Sequence, residues 1–387
     1  MASSNTFKII VKTSFGMEDV VKKELADLGI SEVTIVNRAV IFNGTLQDLY
    51  KANIWLRTAQ KILVEVKSFK ISSDSDLYNQ IKSIQWFDYF DLAQTFSIDV
   101  VVFSKLFSHT KYAALKTKDA IVDKFREKYQ SRPNVDSNTP DIKINLYIDA
   151  VNNCSISIDS SGEILSKRGF RKSQGLAPIK EDLAAGMILL SDWDKKSTLI
   201  DMFCGSGTIL LEAAMIAQNI APNLHREFFG FMNWKNFDAK LFQEIVAEAK
   251  KSQLTQQCKI IGIDNSGRSL GMARANLSEA GLLKSIELHC KDFKDFYPPK
   301  STGTIISNPP YEVRIGENVD KLYKEFGDTL KKNYEGYSAW IISSNMEALK
   351  NVGLKPEKKI KLFNGSLECR FVNYKMYSGS KKNQILN

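Results

Sequence analysis

The sequence predicts an α/β protein: an open, mostly parallel sheet with helices on both faces in the C-terminal half, preceded by an α+β region. Three observations predict it. From about residue 180 onward, strand-like and helix-like segments alternate, which is typical of a parallel sheet. The turn signal Asn364-Gly365 joins the last two strand-like segments and predicts an antiparallel hairpin. The first segments of the chain follow the order of the split β-α-β ferredoxin-like motif.

The composition is that of an ordinary globular protein with a large core. The 387 residues predict two or three domains, and 43% of them are apolar. The five cysteines are scattered and the three histidines lie far apart, so we expect no metal site and a reducing, cytoplasmic location. No apolar run approaches the ~18 residues of a membrane span, and the N-terminus has no signal-peptide core. Membrane association is therefore not expected, and the oligomeric state is not indicated.

The net charge of +9 indicates one class of partner without proving it. Lysine and arginine side chains displace the condensed counterions of nucleic acids, so a basic protein is suited to a polyanionic partner. Many soluble proteins are also basic, and composition alone leaves both interpretations open.

The N-terminal region divides into two predicted domains. Residues 1–70 contain the strand-like segments "FKIIVKT", "SEVTIVN", "AVIFNG" and "KILVEVKSF" with two helical segments between them, and are predicted to be ferredoxin-like. Residues 71–160 contain a helix, the strand "FSIDVVVF", a long helix and two further strands with a turn at Asn152-Asn153. The long helix, "KYAALKTKDAIVDKFREKYQ", is amphipathic. Its apolar residues predict the buried stripe Leu115, Ile121, Val122, Phe125 and Tyr129.

Residues 161–387 carry the chemistry, beginning with a glycine-rich turn. In "DMFCGSGTILLEAA" a strand, a turn and a helix follow one another, and Gly205 and Gly207 let the backbone pass close to a ligand at the edge of the sheet. The next strand ends in Asp264, which suits a ribose diol, and the third leads into Asp292, within reach of an adenine amine. Such signals at three successive strand ends favour nucleoside binding over a simple tight turn.

The nucleoside is predicted to be S-adenosylmethionine and not a dinucleotide. Leu210 occupies the third glycine position of the dinucleotide fingerprint, and Asp264 lies too far downstream for it. A phosphate loop is also missing from the sequence. The closing Asn-Gly hairpin is the added feature of methyltransferase sheets.

The fourth strand ends in "SNPPY", a pattern suited to holding a flat amine. The Asn308 side-chain oxygen and a proline carbonyl can both accept hydrogen bonds from one exocyclic amine, which turns its lone pair toward an incoming methyl group. The prolines stiffen the backbone, and Tyr311 can stack on the base. Cys204 is not expected to be a nucleophile, because amine methylation needs no covalent adduct.

These motifs resemble those of class I S-adenosylmethionine-dependent amino-methyltransferases with a Rossmann-like sheet. Further segments, "DLYKANIWLRTA", "KYAALKTKDAIVDKF", "LSKRGFRKSQGLAPIKEDLAA" and "LLEAAMIAQNIAPNL", resemble the THUMP-containing RNA guanine-N2 methyltransferases, particularly bacterial members that modify 23S ribosomal RNA. The resemblance covers nearly the whole chain. It implies a ferredoxin-like domain over 1–70, a THUMP RNA-binding domain over 71–160 and a methyltransferase domain over 161–387.

The resemblance also implies the functional residues. The catalytic ones would be Asn308, Pro309, Pro310 and Tyr311. Those that bind S-adenosylmethionine would be Ala177, Pro178, Asp201, Phe203, Cys204, Gly205, Gly207, Thr208, Asp264, Asn265, Asp292, Phe293 and Asn308. RNA would be contacted by Arg57, Lys111, Lys116, Lys118, Arg168 and Arg171. Two departures stand out: Met202 replaces the family's proline after Asp201, and Glu312 replaces the glycine that often follows the proline pair, which bears on base choice.

The expected activity is methylation of an exocyclic base amine in RNA, with guanine N2 of 23S ribosomal RNA as the favoured target. Transfer RNA, adenine N6 of a nucleic acid, and protein glutamine are the alternatives that the same clamp would serve. A glutamine methyltransferase would resemble this chain only in its last third. An RNA-binding protein with an inactive methyltransferase domain is the non-enzymatic alternative.

Overall fold

The computed structural model describes residues 6–171, 179–311 and 318–377. These residues form two compact units, each built on a seven-stranded sheet. The N-terminal unit comprises the chain up to Thr13, Val21–Leu165 and Arg226–Glu248. The C-terminal unit comprises Ser14–Val20, Ser166–His225 and the chain from Ala249. The predicted α/β class is confirmed.

One continuous sheet runs through both predicted N-terminal domains. Its strand order is β2-β3-β1-β4-β7-β6-β5, and β4 pairs with β1 on one side and with β7 on the other, both antiparallel. The last strand of the ferredoxin-like motif is therefore shared with the following motif. The strands are β1 (Phe7–Thr13), β2 (Val33–Val36), β3 (Ala39–Gly44), β4 (Ala59–Lys70), β5 (Phe96–Val102), β6 (Ile142–Ile148) and β7 (Asn153–Asp159).

The helices of this region are α1 (Glu18–Asp27), α2 (Leu46–Trp55), α3 (Asp74–Lys82) and α4 (Thr110–Tyr129). Thr45 caps α2 through a capping box with Asp48. The long helix α4 buries Ala113, Thr117, Ala120, Ile121, Val122 and Phe125. The predicted stripe was wrong at Leu115 and Tyr129, which are 46% and 41% exposed, because the small residues of α4 face the core at helical spacing.

The C-terminal unit has the strand order β10-β9-β8-β11-β12-β14-β13. Strands β8 to β12 are parallel, whereas β14 pairs antiparallel with both β12 and β13, so the predicted terminal hairpin is confirmed. Its two-residue turn is Gly365-Ser366, one residue beyond the predicted position, because Asn364 still pairs with Leu367. The strands are β8 (Thr198–Asp201), β9 (Ile260–Asp264), β10 (Glu287–Cys290), β11 (Gly303–Ser307), β12 (Tyr337–Ser343), β13 (Lys358–Asn364) and β14 (Leu367–Lys375).

Two apolar clusters cover the two faces of this sheet. Alternate strand residues face opposite ways, so that Leu199 and Ile306 join one cluster, and Ile200 and Ile305 join the other. The remaining helices are α5 (Glu181–Leu190), α6 (Thr208–Ala217), α7 (Ala239–Lys251), α8 (Gly267–Glu279), α9 (Val319–Asn333) and α10 (Met346–Asn351). No helix in the described part of the chain is long and apolar enough to cross a membrane.

Two short stretches of the chain belong to a different unit from the residues that flank them in sequence. Residues 14–20 join the C-terminal unit, where Met17 and Val20 are buried in the core. Residues 226–248 join the N-terminal unit, where an aromatic cluster forms around Tyr50. Its ring lies 4.5 Å from Phe231 and 5.8 Å from Phe242, and Phe229 stacks on Phe231. Sequence periodicity predicted neither exchange.

Candidate functional site

The glycine-rich turn lies at the carboxyl end of β8 and leads into α6. Gly205 and Gly207 have φ of +52° and +82°, a region that other residues seldom adopt. A side chain on Gly207 would also come within 3.2 Å of the Ala273 Cβ on α8. Beside Gly205 the space is open. The turn therefore needs its glycines, and it leaves room for a ligand at the sheet edge.

Asp264, at the end of β9, holds this turn in place. One carboxylate oxygen accepts a hydrogen bond from the Gly205 amide at 3.0 Å, and the other accepts one from the Ser266 amide at 2.9 Å. Asp264 is half-buried, and a carboxylate has further lone pairs, so a ribose hydroxyl could still donate to it. Asn265, which follows it, is exposed.

Asp201 lies beneath the turn and is fully buried. Burial raises the pKa of its carboxyl to about 7, opposed by hydrogen bonds from the Phe203 amide and the Ser307 hydroxyl, while the charge of Asp264 raises it further. Burial also raises the pKa of the Cys204 thiol, which keeps it protonated. Burial therefore disfavours the Cys204 thiolate, and the absence of a nucleophilic role stays a prediction.

The third predicted carboxylate, Asp292, is half-buried and follows β10. It caps a short helical turn by accepting a hydrogen bond from the Lys294 amide at 3.0 Å, and the Lys294 ammonium lies 3.4 Å away. Phe293 is buried against Phe203, with ring centroids 5.2 Å apart. Because β8, β9 and β10 are neighbours in the sheet, Asp201, Asp264 and Asp292 follow one another along a single edge.

The "SNPPY" segment follows β11, the neighbour of β8 on the other side. The Ser307 hydroxyl accepts a hydrogen bond from the Met202 amide at 2.8 Å, which ties the two strand ends together. Asn308 is half-buried and Pro309 buried. The Tyr311 hydroxyl donates to the Asn308 side-chain oxygen. The tyrosine ring is half-buried against the core, so its expected role in stacking on a base stays a prediction.

Two residues that sequence reasoning missed hold the backbone at the end of this segment. Tyr323 of α9 donates to the Ser343 hydroxyl at 2.8 Å and lies 3.4 Å from the Pro310 carbonyl. Asn345, the N-cap of α10, donates from its side-chain nitrogen to the Tyr311 carbonyl at 3.2 Å. A buried tyrosine in an amphipathic helix carries no recognisable motif, so the sequence offered no signal for this role.

The connector before α5 supplies two predicted RNA contacts that differ sharply in accessibility. Arg168 is 3% exposed and pairs at 3.1 Å with the buried Glu212, so the expectation that it contacts RNA is wrong. Arg171 is half-buried, pairs with Glu181 at 3.0 Å and donates to the Thr208 hydroxyl at 3.2 Å. Both arginines line a small open cleft beside the glycine turn. Ala177, Pro178 and Glu312 lie outside the described residues.

The predicted RNA contacts of the N-terminal unit also differ in accessibility. Arg57 is buried and its backbone amide donates to the half-buried Glu24 at 2.7 Å, so this expectation is wrong as well. Lys116 lies 3.3 Å from Asp74, and Lys118 lies 2.8 Å from Asp119. Lys111 is exposed in the first turn of α4. Arg168 thus forms an ion pair inside the fold, and the charge of Arg57 acts on Glu24.

The groups at this sheet edge fit a nucleoside and give no indication of a metal. An open glycine turn and carboxylates along one sheet edge suit the hydroxyl and amine donors of an adenosine. Within the described ranges, no three histidine, cysteine, aspartate or glutamate side chains come together as metal ligands would.

Three family models match the chain. The model described as RMKL-like, methyltransferase domain, matches residues 168–373. The RlmL ferredoxin-like domain matches residues 8–63, and the THUMP domain matches residues 72–159.

Individual relatives match over nearly the whole chain. Ribosomal RNA large subunit methyltransferase K/L of Shewanella sp. (strain W3-18-1) is 38% identical over 95% of this chain and 53% of its own length. The chain spans about half the length of the ribosomal RNA methyltransferases that it matches. A Synechocystis sp. protein named "Putative RNA methyltransferase" is 35% identical over 97% of this chain and 98% of its own length.

A solved structure shares the fold. The crystal structure of SMU.472, "a putative methyltransferase complexed with SAH", matches with a TM-score of 0.88 and 33% identity. The match covers 97% of this chain and 99% of that one. The predicted Rossmann-like methyltransferase sheet, preceded by ferredoxin-like and THUMP parts, is confirmed.

Proposed function

Because this chain belongs to the RMKL-like methyltransferase family, we propose that it transfers a methyl group from S-adenosylmethionine to an exocyclic amine of an RNA base. The observation that carries the proposal is the adjacency of two motifs. The amine clamp after β11 lies beside the glycine turn after β8, and the Ser307–Met202 hydrogen bond joins them. A donor bound at the turn and an amine bound at Asn308 would therefore meet at one sheet edge.

The residues that would hold the donor are those of the glycine turn together with Asp264 and Asp292. The open space beside Gly205 admits the adenosine, and Asp264 has lone pairs left to accept from the ribose. When bound, S-adenosylmethionine supplies a methyl group on a positively charged sulfur, which is a good leaving group. The protein then needs to align the amine more than to activate it with a strong base.

The acceptor clamp would consist of the Asn308 side-chain oxygen and the Pro309 carbonyl. Tyr323 and Asn345 engage the carbonyls of Pro310 and Tyr311, whereas the described structure shows no partner for that of Pro309. An amide oxygen has two lone pairs, so Asn308 can accept from an amine while it accepts from Tyr311. Two accepted hydrogen bonds turn the amine lone pair toward the donor.

We favour guanine N2 of 23S ribosomal RNA as the target. The Shewanella relative is named a large-subunit ribosomal RNA methyltransferase, and the THUMP match lies beside the methyltransferase domain. The same clamp would serve guanine N2 of transfer RNA, adenine N6, or the amide of protein glutamine. The division into 1–70, 71–160 and 161–387 and a cytoplasmic location are part of this proposal; the ranges of the three family matches support the division.

The test is incubation of the purified full chain with labelled S-adenosylmethionine and, separately, ribosomal RNA, transfer RNA, DNA and protein. RNA should come from cells that lack the gene, so that target sites are unmodified. Nucleoside analysis should find N2-methylguanosine in large-subunit RNA with wild type and a strongly reduced amount with Asn308→Ala, which lacks the amine acceptor. Label in DNA or protein but not RNA would overturn the proposal.

A further inference from the structure

The side chain of Tyr311 reaches from the amine clamp to the terminal hairpin of β13 and β14. Tyr311 follows β11, and Asn345, just beyond β12, donates to its carbonyl at 3.2 Å. Its ring packs against the apolar cluster to which the hairpin contributes Leu362, Cys369 and Phe371. Because β12 lies between β11 and β14 in the sheet, the side chain crosses the end of one strand to reach the hairpin.

The Tyr311 hydroxyl meets polar groups of both the clamp and the hairpin. It donates to the Asn308 side-chain oxygen. The side chain of Asn364, the last residue of β13, also forms a hydrogen bond with it, and the Cys369 thiol lies beside it. Burial raises the pKa of the Tyr311 hydroxyl and the Cys369 thiol raises it further, whereas the hydrogen bond from Asn364 opposes the rise. The tyrosine therefore stays protonated and has a proton to donate.

The direction of these hydrogen bonds decides which end of the Asn308 amide is available. The oxygen of an asparagine side chain accepts hydrogen bonds and the nitrogen donates them, so only the oxygen can hold an amine. A hydroxyl that accepts from Asn364 directs its proton toward Asn308, where only the oxygen can take it. A second lone pair on that oxygen is left for a substrate amine. This orientation of Asn308 is the one that the clamp requires.

The same contacts leave the ring of Tyr311 poorly placed to stack on a base. Stacking covers a face of an aromatic ring, so that face must be open to the substrate. The Tyr311 ring instead packs on the core. Moving the ring out to meet a base would break the hydrogen bond to Asn308 and the contacts with the hairpin.

We propose that Tyr311 is a positioning residue, whose hydroxyl holds the Asn308 amide in the amine-accepting orientation while Asn364 of the hairpin supports that hydroxyl. The proposal deepens the proposed function and rests on it for the nature of the acceptor. It replaces the expected stacking role of the ring with a role for the hydroxyl. It also gives the terminal hairpin a part in aligning the acceptor, because the hairpin supplies the partner that directs the tyrosine proton.

The test separates the hydroxyl of Tyr311 from its ring. Tyr311→Phe keeps the ring, so a stacking role would leave methylation of RNA unchanged. Loss of a positioning hydroxyl should instead lower kcat by roughly two- to tenfold, the rate equivalent of one hydrogen bond. The KM for RNA and the affinity for S-adenosylmethionine should stay as in wild type, since neither ligand loses a contact. A wild-type kcat, or a raised KM for RNA at constant kcat, would overturn the proposal.

The matched control is Tyr374→Phe. It removes a buried tyrosine hydroxyl from β14, one that lies 3.5 Å from the Leu349 carbonyl of α10. This variant should keep the wild-type kcat. A fall in kcat equal to that of Tyr311→Phe would show that any buried hydroxyl of this region matters, and would overturn the specific role of Tyr311.

A double-mutant cycle tests the support from the hairpin. Asn364→Ala should lower kcat in the wild-type background and have no further effect in Tyr311→Phe, because it acts through the tyrosine hydroxyl. Independent effects of the two changes would overturn the part assigned to the hairpin.

A second cycle needs no turnover and therefore separates this proposal from the proposed function. The effects of Tyr311→Phe and Asn308→Ala on the unfolding equilibrium constant should fall short of multiplying by roughly two- to tenfold, since the two side chains share one hydrogen bond. Fully multiplicative effects would overturn the proposal even if wild type methylates RNA. Failure of wild type to methylate RNA, with the coupling present, would overturn only the proposed function.

Discussion

At the residue scale, Asp264 supports the glycine turn, and we propose that it also accepts a hydrogen bond from the ribose of the donor. Asp264→Ala should weaken S-adenosylmethionine binding by roughly 1.5–3 kcal/mol, the range for hydrogen bonds to a charged group. Titration calorimetry measures this directly. Asp295→Ala, an exposed carboxylate three residues beyond Asp292, is the control and should bind as wild type does. Unchanged donor affinity in folded Asp264→Ala would remove Asp264 from the donor site.

Asp201 should give the protein a distinctive pH dependence. Its folded-state pKa of about 7 is raised above the unfolded value, so its stabilising contribution is fully present at low pH and is lost as pH rises to 7. Between pH 5 and 7, wild type should lose up to about 1.4 kcal/mol of unfolding free energy per pH unit relative to Asp201→Asn, which does not titrate. Denaturant unfolding across this range measures the difference. Parallel pH profiles of the two proteins would contradict the raised pKa.

Tyr323 should affect the chemical step without affecting donor binding. Tyr323→Phe removes the hydroxyl that contacts Ser343 and the Pro310 carbonyl, which loosens the clamp. Loss of one hydrogen bond worth about 0.5–1.5 kcal/mol should slow single-turnover methylation by roughly two- to tenfold, with donor affinity unchanged. Tyr334→Phe is the matched control, since that buried hydroxyl has no hydrogen-bond partner in the described structure. Equal rates for both variants would deny Tyr323 a positioning role.

The residues that sequence analysis found and missed differ in one physical respect. Gly207 and Asp264 could be predicted because a turn with positive φ and a polar residue at a strand end leave local signals. Tyr323 and Asn345 act on the same site from later elements, so their contribution depends on tertiary contacts. Arg57 and Arg168 were assigned to RNA because charge in a sequence does not reveal whether a carboxylate of the fold, such as Glu24 or Glu212, lies opposite.

At the scale of elements, variants of α4 can show whether lysines that already form ion pairs also bind RNA. The double change Lys116→Gln, Lys118→Gln should weaken RNA binding and flatten its salt dependence by about 0.7 for each lost phosphate contact on single strands. The melting temperature should change little, because both ion pairs are at the surface. Filter binding over a salt series measures the slope.

The control for α4 is Lys22→Gln, Lys23→Gln, two exposed lysines of α1. That variant should keep the wild-type salt dependence of RNA binding. If the α4 variant also keeps it, Lys116 and Lys118 serve only their ion pairs.

The type of each element could be predicted from the sequence. The buried face of α4 and the exact position of the hairpin turn could not. Helical periodicity located α4, but Leu115 proved exposed because Ala113, Thr117 and Ala120 take the core positions. Small residues give a weak apolar signal even where they are buried. The terminal hairpin was predicted from Asn364-Gly365, and its turn shifted by one residue since strand pairing continues through Asn364.

At the scale of the whole molecule, the exchanged segments bear on how far the methyltransferase domain is autonomous. The sequence suggests that a fragment from Ser166 onward folds alone, because it contains every donor motif. The structure argues otherwise on two grounds. Such a fragment lacks Met17 and Val20, which are buried in its core, and it retains 226–248, whose phenylalanines pack around Tyr50 of the missing unit. Neither dependence is local in sequence, so neither could be read from periodicity.

The last prediction concerns that fragment. Residues 166–387 alone should self-associate, because the fully buried Phe229 and Phe231 each lose burial worth about 1.5–3 kcal/mol. Replacing 226–248 with a glycine-serine linker of equal length removes those rings and should restore a monomer that binds S-adenosylmethionine. Its melting temperature should remain below that of the full chain, because residues 14–20 are still absent. Light scattering and calorimetry on both fragments measure these outcomes. A native fragment that stays monomeric and binds the donor with full-chain affinity would show that the aromatic segment and residues 14–20 are dispensable for this domain.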